Sequence, residues 1–333
     1  MQLQDSFLAL DLESRKATIT ELFILNEEHS LGKFRGDSNV ATKPLLEALG
    51  EDAERAISSR ASTSYVAFDQ LSKTPIALVA GQGASWDSTQ FGRPMAKLQL
   101  ALFHPEVQRP ARAKILRNLV DRLAVQMVSA RVSLRDLRTV QALEDVGATL
   151  TDVLTTFRFD LARTPLPQPS NGNEIGFAVA ADELDLKHLG GTVFSIDRFH
   201  GDPKLPKAKS DKAYEEWVAN SVHGLADAVI VARKQSKAIG FIMCKIDRVG
   251  NTLRFGVIDL VGVDPAFSGL GVGKDLVISA LQWFKSRVES VYVGTQASNS
   301  RAVRLYERTG FLQANSEATL HLWSARLNEE VTR

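Results

Sequence analysis

A single cysteine, Cys244, stands among 333 residues. One thiol excludes an internal disulfide and a cysteine-built zinc site, and it fits a reducing compartment. Long apolar runs are missing too, since none approaches the ~20 residues that a bilayer span needs. Met1 to Glu13 carries acids in place of the basic region of a secretory leader, which disfavours export. No block of like charge occurs, and 40 Lys and Arg offset 39 Asp and Glu for a formal net charge of +1. That balance gives no electrostatic reason to bind nucleic acid or an anionic membrane. Aromatic residues are sparse at 7%, but apolar residues reach 44%, as in an ordinary globular protein and against disorder. The six histidines show no metal-ligand spacing, so no metal is implied. The expectation is a cytoplasmic chain of about two domains.

Punctuation divides the chain. Leu161 to Gly176 holds three of the 11 prolines with Ser, Asn and Gly and no periodic apolar pattern, which marks a linker. Gly81 to Trp86 is a second break. Before it, Thr18 to Leu25 gives weak strand signals. Pro44 to Ser58 reads as a helix, with Leu45, Leu46, Leu49, Ala53 and Ile57 at three- and four-residue spacing. Tyr65–Phe68 and Ile76–Ala80 flank a polar turn and read as a hairpin. The two larger parts echo each other. Strand Met127–Val132, helix Arg135–Asp145, Gly147 and strand Thr155–Leu161 are followed by strand Val291–Gln296, helix Ser300–Arg308, Gly310 and strand Glu317–Trp323. A constant offset of 163 places Gly147 on Gly310. The order of elements carries this repeat better than residue identity does.

The strongest chemical signal runs from Val257 to Ser286. Val257–Val263 is apolar except for Asp259, as a buried central strand is. Pro265 ends it, and Ser268-Gly269-Leu270-Gly271-Val272-Gly273-Lys274 opens a helix whose Leu276, Val277, Ala280, Leu281 and Phe284 share a face. Glycines let backbone N–H groups approach a phosphate, and the helix N-terminus favours negative charge. The spacing matches neither a Walker loop, because Asp275 follows Lys274, nor a dinucleotide fingerprint in register. The loop alone also fits a tight strand–helix turn.

One helix and one strand later comes Asn299-Ser300-Arg301-Ala302-Val303-Arg304-Leu305-Tyr306-Glu307-Arg308-Thr309-Gly310-Phe311. With the glycine loop it resembles the GNAT superfamily of N-acetyltransferases, whose signature is [Q/R]-x-x-G-x-[G/A] followed by N-x-x-A-x-x-L-Y-x-x-x-G-F. The second motif is complete at Asn299, Ala302, Leu305, Tyr306, Gly310 and Phe311. The first keeps Gly271 and Gly273 but has Ser268 where the family prefers Gln or Arg, so that one pyrophosphate contact is absent or is made by Lys274. The likeness covers about residues 175–325. It implies an α/β (α+β) fold of two tandem GNAT-like units, with mixed, mostly antiparallel sheets flanked by helices. It implies acetyl-CoA as donor, with its pyrophosphate on the N–H groups of Ser268, Gly269, Leu270, Gly271, Val272, Gly273 and Lys274. The pantetheine would lie beside Val261 and Val263 and meet Asn299, and Tyr306 would protonate the departing thiolate. Asp259 is a further catalytic candidate, placed by period two on the face of Val261 and Val263; a buried, paired Asp is the plainer reading.

A longer resemblance runs from about residue 84 to 323. Ser85–Gly92 opens the first unit, Phe194–Pro203 the second, followed by Tyr214, Trp217, Asn220 and Ser221, and Val293–Gln296 precedes Asn299. This order is similar to the dTDP-fucosamine acetyltransferases and their relatives within the superfamily. They acetylate the amine of a nucleotide-linked deoxyamino sugar, and their N-terminal half has no catalytic site. Here Leu143 stands 163 residues before Tyr306, and Gln108 and Pro110 stand before Gly271 and Gly273. Pro110 removes an N–H, so a phosphate loop does not survive there. The expected layout is an N-terminal segment, 1–83, packed on a scaffold unit, 84–162, then a linker, 163–175, and a catalytic unit, 176–326. A homodimer is compatible with it. Arg198, His200 and Asp202 would line the acceptor cleft, Arg198 at a sugar diphosphate and His200 as a proton relay; the plainer reading is a structured loop. Tyr214 and Trp217 read as packing. Two other readings stay open: a GNAT enzyme of another small or protein amine, and a CoA-binding scaffold without turnover. Residues 197–209 hold four Lys and Arg against two Asp, which favours an anionic acceptor over a polyamine.

Overall fold

The computed structural model describes residues 2–4, 11–26, 31–34, 37, 41–58, 62–68, 74–169 and 173–324. They form two compact units. The first holds the described residues of 1–153, 249–252 and 316–333, and the second those of 154–248 and 253–315.

The first unit begins with β1 (Gln2–Gln4), α1 (Leu12–Leu25) and α2 (Thr42–Ile57). The strand signals at Thr18–Leu25 are overturned, for the stretch lies inside α1. The β-branched Thr18, Ile19 and Thr20 favour a strand, but Asp11 caps the helix by accepting from the Ser14 N–H at 2.8 Å. Ile19, Leu22 and Phe23 are then buried at helical spacing. The hairpin strands β2 (Ser62–Phe68) and β3 (Pro75–Gly83) pair antiparallel; the turn read at residues 69–73 lies outside the described residues. Strand β3 runs straight through Gly81, where a break was expected. Its register shifts there, and a Cβ on Gly81 would stand 2.7 Å from Leu123 Cδ1. Glycine here answers a close approach. Next come α3 (Ser85–Phe91), β4 (Met95–Phe103), α4 (Arg109–Leu123), β5 (Met127–Ser133), α5 (Leu137–Asp145) and β6 (Thr149–Asp160). Because β3 pairs with β4, the hairpin belongs to the first unit's sheet, and residues 1–83 do not form a segment apart.

The second unit contains β7 (Glu174–Phe177), α6 (Glu183–Val193), α7 (Lys207–Asn220), β8 (Ala228–Lys234), β9 (Lys237–Val249), β10 (Leu253–Val263), α8 (Val272–Phe284), β11 (Ser290–Gln296) and α9 (Ser300–Arg308). The last strand is β12 (Leu312–Trp323). In each unit the strands pair mostly antiparallel, with a parallel pair β4–β5 in the first and β10–β11 in the second. In the second unit the parallel pairing ends at Ile258↔Val293. Beyond it Asp259–Val263 continues without β11 alongside, and the two strands splay. The first unit's pairing ends likewise at Leu98↔Ala130.

The repeat is sharper in the structure than in the sequence. β5 and β11, α5 and α9, and β6 and β12 correspond at both ends with the 163-residue offset. Gly147 and Gly310 both have positive φ, +97° and +93°, the left-handed turn that glycine tolerates. The last strands are exchanged. Residues 154–160 of β6 pair with β11 in the second unit, with Ser290 opposite Asp160. Residues 317–323 of β12 pair with β5 in the first unit, with Met127 opposite Trp323. The offset turns one register into the other. The division between units therefore falls within β6 and β12, not at residues 163–175. Phe157 and Phe159 of β6 are buried in the second unit's core with Val277, Leu281, Phe284 and Phe311.

Candidate active site

The glycine loop follows the splayed end of β10. Asp264 holds the turn by accepting from the Ala266 N–H at 2.9 Å. Gly269 and Gly271 take φ of +82° and +85°, values that L side chains adopt only with strain. Gly271 is the N-cap of α8, so the N–H groups of Val272, Gly273 and Lys274 start the helix without an intrahelical acceptor. A Cβ on Gly269 would meet open space, and one on Gly273 only side-chain carbons at ordinary contact distance, Leu305 Cδ2 at 3.4 Å and Val263 Cγ2 at 3.8 Å. The loop is an uncovered cradle of N–H groups at a helix N-terminus, and it fits a phosphate. At the corresponding place in the first unit, Gln108 caps α4 with φ of −72° and a proline follows in the first turn.

Asn299 caps α9, its side-chain oxygen accepting from the Ala302 N–H at 3.2 Å. The amide nitrogen is then its atom for a ligand. Tyr306 is 4% exposed, between the rings of Phe157 at 5.8 Å and Phe311 at 5.7 Å. Burial pushes its phenol well above the ordinary value. Its place in the first unit is taken by Leu143, a buried core residue. Val261 and Val263 lie beyond the last β10–β11 pair, half-buried against the α8 core.

Asp259 stands elsewhere than expected. Its carboxylate accepts from Trp217 Nε1 on α7 at 3.1 Å and pairs with Lys245 Nζ on β9 at 2.6 Å. Leu260, its neighbour, packs with Leu186 of α6 and Val218 of α7, while Ile258, Val261 and Val263 pack with the α8 core. Two consecutive residues thus face α6 and α7. The break in alternation removes Asp259 from the face of Val261 and Val263, and period two fails there because the strand is irregular.

The loop after α6 is tightly built. His200 is clamped by two carboxylates, Nδ1 to Asp197 at 2.5 Å and Nε2 to Asp211 at 3.0 Å. With both nitrogens engaged and its side chain 6% exposed, the imidazole has no atom left to relay a proton from an acceptor. Asp202 is buried and accepts from the Lys204 N–H at 2.9 Å. The Arg198 guanidinium carbon lies 3.8 Å from the centre of the Phe199 ring. Phe194, Tyr214 and Trp217 stack in series, at 4.6 and 5.8 Å, and Trp217 ends the series at Asp259.

The sequence reading missed Lys245 and Arg301. Lys245 follows the apolar run Ile239–Cys244, and a lone cation there was the available signal. Arg301 reaches from α9 to the loop, its Nη1 donating to Ser268 Oγ at 2.6 Å. Ser268 departs from the family's Gln or Arg, and the cation that meets its side chain is Arg301.

The second unit thus holds a Gly-rich cradle, a splayed parallel pair and, one helix and one strand on, a buried tyrosine. Residues 195–311 match the acetyltransferase (GNAT) family. The spore coat polysaccharide biosynthesis protein SpsD of Bacillus subtilis is 28% identical over 156 residues, 46% of this chain and 52% of that protein. A mycothiol acetyltransferase of Mycobacteroides abscessus is 29% identical over 202 residues, 59% of this chain and 60% of that protein. The matched stretch spans about half the length of such relatives. Among solved structures, a tandem GNAT protein from the clavulanic acid biosynthesis pathway aligns over 97% of this chain and 98% of its own, with TM-score 0.55 and 14% identity. A GCN5-related glucosamine N-acetyltransferase region of a fungal multi-domain β-N-acetylglucosaminidase aligns over 96% of this chain and 38% of its own, with TM-score 0.61 and 15% identity. The fold is that of a tandem GNAT protein. Among the described residues no helix is long and apolar enough to cross a membrane.

Proposed function

We propose that the chain is an acetyl-CoA-dependent N-acetyltransferase working through its second unit, with the amine of a nucleotide-linked deoxyamino sugar as acceptor. The observation that carries the donor half is the open glycine cradle ahead of α8, set one helix and one strand before Tyr306. The N–H groups of Ser268 to Lys274 would hold the pyrophosphate. Val261, Val263 and the Asn299 amide would hold the pantetheine along the splay. When bound, the donor supplies an activated acetyl thioester. Tyr306 keeps a proton on its phenol, because burial disfavours the phenolate, and delivers it to the sulfur as the acceptor nitrogen bonds to the carbonyl carbon. A positioned acid of this kind contributes roughly 10²–10⁴-fold. Asp259, fixed by Trp217 and Lys245, would accept a hydrogen bond from the neutral acceptor amine and orient it; the C–S bond breaks as the C–N bond forms, and the proton that the nitrogen then sheds restores the Tyr306 phenol.

SpsD is named for polysaccharide biosynthesis, and the basic segment 197–209 with Arg198 suits an anionic acceptor. His200 belongs to the frame of that segment and is no longer a candidate relay. The test is a screen of nucleotide-linked amino sugars beside free amino sugars, a cysteinyl amine and polyamines, reading thiol release from acetyl-CoA. The highest kcat/KM is expected with a nucleotide-linked amino sugar. Preference for an unphosphorylated amine would overturn the acceptor, and CoA binding without thiol release from any amine would leave a binding protein.

A further inference from the structure

The loop that starts with Ser268 has no long polar side chain at its first position, yet a guanidinium stands there. Arg301 is the third residue of the Asn299 motif, 33 positions along the chain. It donates from Nη1 to Ser268 Oγ at 2.6 Å. Arg301 is exposed and forms no ion pair among the described residues, so no carboxylate offsets its charge. Its remaining donors are presented beside a cradle that is itself electropositive: the positive-φ glycines Gly269 and Gly271, the first N–H groups of α8, and Lys274 in its first turn. Arg301, Lys274 and the helix-end N–H groups gather positive potential at one place, and the one carboxylate of that turn, Asp275, is buried and accepts from Asn173 Nδ2 at 2.7 Å, so the cations there favour an anionic ligand.

We infer that Arg301 supplies the cationic contact to the pyrophosphate of the donor, in place of a side chain at position 268, and that the Ser268 hydroxyl positions its guanidinium. A planar fork suits phosphate oxygens, whereas a serine reaches no further than its own turn. The exchange also ties the phosphate loop to the helix bearing Asn299 and Tyr306, so that one side chain couples the two ends of the donor. The inference rests on the donor reading above.

The test is titration calorimetry on the full chain with CoA, dephospho-CoA and pantetheine. Arg301→Ala is expected to weaken CoA and dephospho-CoA alike, by roughly tenfold or more at low salt, and to leave pantetheine unchanged. Ser268→Arg added to Arg301→Ala is expected to recover most of the loss. CoA binding by Arg301→Ala within twofold of the parent would overturn the inference while the donor reading stands. A loss confined to CoA would move Arg301 to the 3′-phosphate and also overturn it. An equal loss with pantetheine would mean that the side chain only braces the loop. If the parent protein binds no CoA, the donor reading fails and this inference falls with it.

Discussion

Under the proposed function, Tyr306 would serve both core and chemistry. It fills a place between Phe157 and Phe311, and the same burial that packs it keeps its proton on. The phenol's ordinary value is 10.0, and burial raises it. Because the folded value lies above the unfolded one, the stability this burial contributes is complete below about pH 10 and is lost as pH rises through the folded value. The catalytic consequence has the same sign: no alkaline limb from Tyr306 is expected in kcat below about pH 10. Tyr306→Phe keeps the ring and removes the acid. We expect unchanged CoA affinity and a kcat lower by roughly 100-fold or more. A variant turning over at the parent rate from pH 6 to 9 would reduce Tyr306 to a packing residue. His200 is the opposite case. Its residue type suggested proton transfer, but its neighbours decide otherwise, and Asp211 on the following helix is a partner that no spacing rule would pick out.

At the scale of elements, local signals were legible and long-range pairings were not. Helix α9 was read at its true ends because Asn299 caps it and Gly310, at φ +93°, stops it. Strand β11 was legible from its apolar run. The splay of β10 from β11, the exchange of β6 with β12, and the meeting of Trp217, Lys245 and Asp259 depend on which distant segments pair. Local periodicity carries no record of that. Gly271 tests the element that matters most for the donor. Its left-handed φ at the N-cap of α8 aims the following N–H groups outward. Gly271→Ala keeps every N–H but strains that conformation by about 1–2 kcal/mol. The loop can relieve the strain only by turning those groups away. We expect CoA affinity to fall about tenfold or more, with a melting temperature within a few degrees of the parent, as read by calorimetry and thermal unfolding. Parental affinity would mean that the cradle does not contact the donor.

For the whole molecule, the repeat poses a question of stoichiometry. Both units possess a splayed parallel strand pair, and the first retains a cavity of about 470 Å³ lined in part by Phe23, Ile57, Leu100, Arg131 and Glu317. Burial raises the Glu317 carboxyl, against the opposing pull of Arg131 and Lys33. What the first unit does not have is the means to hold a pyrophosphate. Gln108 takes an ordinary extended φ where Gly271 is left-handed, and Pro110 removes a helix N–H where Gly273 offers one. Leu143, 3% exposed, stands where the second unit has Tyr306 and has no proton to donate. Space alone does not fix a charged ligand, since phosphates must be paired as they leave water. We therefore expect titration of the full chain with CoA to give one site, abolished by Gly271→Pro, which forces the loop backbone out of its left-handed turn and removes an N–H. Two sites per chain, or one site that survives Gly271→Pro, would place a donor in the first unit. The exchange of Gly271 and Gly273 for Gln108 and Pro110 would then have cost the first unit nothing.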